Sequence, residues 1–110
     1  MKKLFFFLTF FVFASVNAQR LFNVSEQNQP DVKLFVVDDP NQADLNVHEV
    51  RSADKAKNND GIWFFTKNID QAEKKVCFVK EENQADLKIH FVSNQNEAGW
   101  INESKKSLLN

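Results

Sequence analysis

Two imidazoles, His48 and His90, are the residues of this 110-residue chain whose type and placing come nearest to chemistry. They stand 42 residues apart in near-copies of one segment, Asn41-Gln42-Ala43-Asp44-Leu45-Asn46-Val47-His48-Glu49-Val50 and Asn83-Gln84-Ala85-Asp86-Leu87-Lys88-Ile89-His90-Phe91-Val92, which agree at seven positions in ten. Facing one another, they could act as metal ligands or as an acid–base pair. The same place in further copies holds Phe22, Phe35, Phe64 and Cys77, so it reads as a half-buried strand site, and no third or fourth ligand completes a metal pattern. A structural role is expected, with no metal and no cofactor.

The other candidates thin out on the same inspection. Cys77, in Val76-Cys77-Phe78-Val79, has no His or Lys beside it in sequence to lower its pKa, and such a thiol packs as a small hydrophobe rather than attacking as a nucleophile. Asp38-Asp39 and Glu81-Glu82 look like paired catalytic carboxylates, yet both pairs fall where a strand runs into a turn, which suits solvated caps. Trp63 and Trp100 would mark a glycan or partner surface if exposed; their places in the repeat point to the core. Phosphate loops, Ser-His-Asp order and zinc spacing are absent from the sequence, so no catalytic residue is assigned. Asn23-Val24-Ser25 and Asn102-Glu103-Ser104 match the glycosylation pattern only.

One surface pattern remains. Arg20, Lys33, Lys75 and Lys88 share a place in the repeat, and Asp31, Glu73 and Asp86 stand two residues before Lys33, Lys75 and Lys88. Residues two apart share a strand face, so the row reads as alternating charge that keeps the outer face soluble and discourages edge pairing. The functional alternative is a basic row that grips an anionic glycan or partner, a field that the acidic neighbours nearly cancel.

These residues are positioned by a repeat of 13 residues. Units run over 19–31, 32–44, 45–57, 61–73, 74–86 and 87–99, with an insertion Asn58-Asn59-Asp60 and a tail from Trp100. Position twelve is Pro30, Ala43, Ala56, Ala72, Ala85 and Ala98; position three is Leu21, Leu34, Val47, Trp63, Val76 and Ile89. The first unit, with Pro in place of Ala, is the weakest copy. Positions one, three and five alternate as the inward face of a strand would (Val32, Leu34, Val36; Leu45, Val47; Trp63, Phe65; Val76, Phe78; Leu87, Ile89, Phe91). Position six is apolar as well, so the strand end is expected to be covered on its second face. Asp39, Ser52, Asn68 and Asn94 read as caps of a single helical turn ending at the repeated Ala, which is expected to be pinned against the sheet. About seven connecting residues are too few for the ~10–12 of a helix-bearing parallel crossover, so a βαβ fold is not expected. The expected fold is mainly β: six strand-plus-helical-turn units in one compact domain.

Residues 1–18 have a composition of their own. Lys2-Lys3 precede an apolar run over 4–16, six of the chain's 12 Phe lie in 5–13, and Val16-Asn17-Ala18 suits a signal peptidase. At 13 residues the run falls short of the ~20 of a spanning helix, so cleavage after Ala18 is expected rather than an anchor, leaving a secreted or periplasmic domain of residues 19–110. In that domain 12 basic side chains face 15 acidic ones, a net charge of −3 that implies neither nucleic acid nor an anionic membrane. With Cys77 alone, no intrachain disulfide can form.

Over residues 32–101 the chain resembles a family of short bacterial repeat proteins of unknown function whose path forms a deep seven-crossing (septoil) knot. The resemblance is carried by Gln42-Ala43-Asp44-Leu45, Gln71-Ala72-Glu73, Gln84-Ala85-Asp86-Leu87 and Ala98-Gly99-Trp100. The diverged stretch 51–57, the insertion and the two His, where Tyr or Phe is more usual, depart from its pattern. The resemblance implies the knot and brings no activity. The expected function is that of a non-enzymatic secreted structural or binding protein, monomeric, its partner unknown; the alternative is a small extracytoplasmic enzyme.

Overall fold

The computed structural model describes residues 19–56 and 58–110; the leader expected over 1–18 lies outside the described residues, as does Lys57. The strands are β1 (Arg20–Asn23), β2 (Val32–Val36), β3 (Leu45–Glu49), β4 (Ile62–Phe65), β5 (Lys74–Phe78), β6 (Leu87–Phe91) and the short β7 (Gly99–Trp100). The first six pair in parallel in the order β1-β5-β2-β6-β3-β4, and β4 pairs back onto β1, which closes a barrel. β7 lies antiparallel on the start of β3.

The chain goes round this barrel twice. β1, β2 and β3 take alternate places on the first lap, and β4, β5 and β6 fill the gaps on the second. The two most similar segments thus end side by side, as β3 and β6. Each step from strand to strand passes over one neighbour, except that β3 and β4 pair directly where the first lap meets the second, and the interleaving follows from that step.

No α-helix bridges these parallel strands, as expected, yet the short connections do not prevent parallel pairing. A five-residue strand rises only about 16 Å and two strand spacings add about 10 Å. The eight residues of 37–44, or of 66–73, reach about 26 Å when extended. The usual crossover length reflects longer strands and an intervening helix.

Positions one and three fill the barrel. Val32, Leu34, Leu45, Val47, Trp63, Val76, Leu87 and Ile89 are all at most 1% exposed, joined by Leu21 and by Leu109 from the tail. Position five departs from its expected inward place except at Phe65, which packs half-buried against the core. Val36, Phe78 and Phe91 are 43%, 38% and 37% exposed, because each ends its strand at the open mouth of the barrel, beyond the filled interior. Position six is covered in four units of six: Val37, Val50, Thr66 and Val79 are buried, and Val24 and Val92 are half-buried. Its N–H donates to the position-three carbonyl of the next strand in every unit (Val24 to Val76, Val79 to Leu34, Val37 to Ile89, Val92 to Val47, Val50 to Trp63, Thr66 to Leu21, all at 2.8–2.9 Å). Those six bonds form an unbroken ring around the mouth, leaving no free edge there.

The helical turns are single 3-10 turns, at positions nine to eleven from the second unit onward: Pro40–Gln42, Ala53–Lys55, Ile69–Gln71, Glu82–Gln84 and Gln95–Glu97. Asp39, Asn68 and Asn94 cap them by accepting the N–H two residues on; Ser52 occupies the cap position without that bond. Of the repeated Ala residues, Ala43 is pinned, at 4% exposed, while Ala56, Ala72, Ala85 and Ala98 are half-buried. The insertion ends at Gly61, whose φ of +89° would strain any other residue; a Cβ there would come within 2.5 Å of the Asn46 carbonyl oxygen.

Candidate functional site

The two histidines lie on the outer face of adjacent strands and do not pair. His90 stands level with Asn46 on one side, and its Nδ1 lies 2.9 Å from the Val37 carbonyl on the other; His48 stands two residues further along, with Nδ1 3.2 Å from the Val92 carbonyl. A carbonyl only accepts, so each Nδ1 must carry the proton, and each ring crosses to the rim of its own neighbouring strand. Imidazole at position four thus adds a bond that Phe at the same place cannot make. Among the described residues no group of three or more His, Cys, Asp or Glu could hold a metal ion.

Cys77 is 2% exposed, and burial pushes its thiol above the ordinary value, with the negative charge of Glu26 adding to the effect. That opposes the thiolate a nucleophile needs. Asp38 and Asp39 are exposed, and Asp39 caps its turn through the Asn41 N–H at 2.9 Å. Glu81 makes no such bond, and Glu82 instead meets Lys88 at 3.4 Å, so the cap reading holds for one acidic pair of the two. Trp63 sits in the barrel, edge-on to Phe65 with centroids 6.0 Å apart. Trp100 packs half-buried against the core and donates its Nε1–H to the Asn59 carbonyl at 2.9 Å.

The acidic residue that closes four of the six units has a use that sequence reading missed. Asp31, Asp44 and Asp86 donate their N–H to the carbonyls of Lys75, Lys88 and Lys33, and their carboxylates accept the N–H of those same lysines at 2.8–2.9 Å. Glu73 makes the backbone half of this contact with Arg20. The acid therefore serves the strand beside it, 44 or 53 residues away in sequence, rather than the lysine two residues on. The available signal was residue type: a short carboxylate at the last place of a unit can return to a backbone N–H one strand over.

The tail, with its 3-10 helix Glu103–Leu109, fastens the opposite end of the barrel. Ile101 and Asn102 donate their N–H to the Asp44 carbonyl, Asn102 Nδ2 reaches Asp44 Oδ1 at 3.2 Å, and Lys105 pairs with Asp44 Oδ2 at 3.5 Å. Asn59 of the insertion, 4% exposed, donates to the Lys106 carbonyl at 2.9 Å and to Asn110 Oδ1 at 3.1 Å. Beside the tail lies an open groove of about 440 Å³, lined by Glu82, Asn83, Ala85, Lys88 and Lys105. Both of its lysines are already in ion pairs. A smaller groove of about 250 Å³ opens beside Ile69, Ala72 and Lys75. No helix among the described residues is long and apolar enough to cross a membrane.

Comparison with curated proteins and with solved structures found no match. The family comparison did, over residues 18–101, a span that takes in every barrel strand and β7. The matching description is that of a knotted domain. The chain belongs to the 7(1) septoil knot domain family.

Proposed function

We propose that this protein is an exported, non-enzymatic module, released as residues 19–110 after removal of the leader, that acts through its surface or its persistence rather than through a reaction. One observation carries this reading: the groups that could do chemistry are engaged in holding the barrel. The His48 and His90 protons go to rim carbonyls, the closing carboxylates bind strand N–H groups, and Cys77 is buried as a neutral thiol. An enzyme would need a reactive atom presented in a cleft, whereas the larger groove offers two lysines already neutralised by Glu82 and Asp44. The domain is taken to act as a monomer outside the cytoplasm, with no nucleic acid or membrane among its partners.

The experiment is a quantitative pull-down from the native envelope fraction with the wild type and with Lys33, Lys75 and Lys88 all replaced by Glu. If the row is structural, the variant keeps the captured partner and loses modest stability at low salt, part of which returns at high salt as the new like-charge contacts are screened. Loss of the partner at unchanged stability would assign the lysines to binding. Turnover of a substrate by the purified wild type, abolished by His48→Phe or His90→Phe, would overturn the non-enzymatic reading.

A further inference from the structure

Gln19 and Leu109 meet at the closed end of the barrel. Gln19 is 1% exposed and Leu109 likewise, and Gln19 Nε2 donates to the Leu109 carbonyl at 3.3 Å. The Gln19 backbone is held too, since its carbonyl accepts the Phe64 N–H at 3.0 Å in the β1–β4 ladder. Leu109 is kept in place by the bonds of Asn59 to Lys106 and Asn110 on either side of it. The amide that begins the barrel is thus held by the tail that follows β7.

We infer that Gln19 is a modification site gated by this tail: the folded protein keeps it as glutamine, and release of the tail lets it cyclise to pyroglutamate. The inference rests on the proposed cleavage after Ala18, which makes the Gln19 nitrogen a free amine. In cyclisation the amine lone pair attacks Cδ of its own side chain, the N–Cδ bond forms, the Cδ–Nε2 bond breaks, and Nε2 leaves as ammonia, carrying the proton lost by the amine. The side chain must fold back onto its own backbone to close the five-membered ring, and water must reach Nε2 to assist its departure. In the barrel the side chain is committed to Leu109 instead, and the site is shielded from solvent. Cyclisation therefore has to wait for local opening of the tail.

The test is intact-mass spectrometry of the exported protein, fresh and after days at 37 °C in phosphate buffer. Expected are a first residue Gln19 without loss of ammonia, conversion at least about tenfold slower than in urea, and faster conversion in Asn59→Ala, which removes the bonds to Lys106 and Asn110 without removing Leu109. A second variant lacking residues 107–110 converts faster still. Wild-type conversion as fast as in urea, or equal rates for wild type and Asn59→Ala, overturns the gate. A mass that places the first residue elsewhere overturns the cleavage reading, and the gate with it, and is distinguishable because it differs by whole residues rather than by one ammonia.

Discussion

Asp44 tests whether the closing acid of a unit acts as the structure places it. Its carboxylate accepts the Lys88 N–H at 2.8 Å and Asn102 Nδ2 at 3.2 Å, faces Lys105 at 3.5 Å, and is 8% exposed. Asp31 makes the same contact with the Lys75 N–H at 2.8 Å, but in the open. The Lys88 N–H and the Asn102 amide both bond a charged group, a contact that contributes about 1.5–3 kcal/mol, and the part-exposed Lys105 adds ~0–1. These contacts share one carboxylate and will not add fully, so Asp44→Ala should cost about 3–4 kcal/mol. Asp31→Ala, with its contact exposed, should cost about 1. Asp44→Asn keeps one oxygen for two donors and should fall between. At ~4–8 °C per kcal/mol for a domain of this size, the two alanine variants should differ in melting temperature by roughly 8–24 °C. Thermal unfolding by circular dichroism, at one scan rate for all variants, reads this directly. Equal losses for Asp44→Ala and Asp31→Ala, or an Asp44→Asn variant as damaged as Asp44→Ala, would refute the account of Asp44 as the joint between strand β6 and the tail.

Ala43→Leu should destabilise by about 1–3 kcal/mol through overpacking, while Ala85→Leu, half-exposed at the larger groove, should change stability by less than about 1; matched shifts in the denaturation midpoint would show that burial at position twelve is not what matters. Cys77 should resist alkylation in the native state and react at once in denaturant, and stability, intact below the ordinary thiol pKa of about 8.5, should fall as pH rises through the raised folded value, because only the unfolded chain then releases the proton freely; rapid native labelling would contradict the burial. The twice-wound path should make both unfolding and refolding slow relative to the ~10¹–10⁻⁶ s⁻¹ of small-domain unfolding and ~10⁰–10⁵ s⁻¹ of folding, to be read by denaturant-jump fluorescence of the two Trp; fast two-state exchange would count against a threaded chain.

What was legible in the sequence is what each unit decides for itself. Alternation at positions one and three marked the barrel interior, and cap residues such as Asp39, Asn68 and Asn94 marked the turns, since both depend on neighbours within a few residues. Position five was misjudged because alternation reports which way a side chain points and not where the filled interior stops. The parallel closed barrel was out of reach for a different reason. Apart from the successive β3 and β4, a unit pairs with those three and four places along the chain, and a period of 13 is the same whichever copies become neighbours. The histidines and closing acids belong to that second class: their partners, Val92 and Val37, Lys88 and Lys33, are set only by the interleaving.

The exception in the sequence explains the exception in the fold. In the five later units the Ala at position twelve donates its N–H to the carbonyl of position nine, as Ala43 does to Pro40, Ala72 to Ile69 and Ala98 to Gln95. Pro30 has no N–H to give. The first turn accordingly sits one residue earlier, over Glu26–Asn28, closed by the Asn28 N–H on the Ser25 carbonyl. The residue gained between turn and strand is taken up by Gln29, the one non-glycine with positive φ among the described residues, at 57°. Beyond it the register recovers at once: Asp31 binds Lys75 as Asp44 binds Lys88. A unit can thus alter the inside of its turn as long as the carboxylate at its end still reaches the strand beside it, which makes the cross-strand contact, rather than the turn, the element that holds the interleaved laps in register.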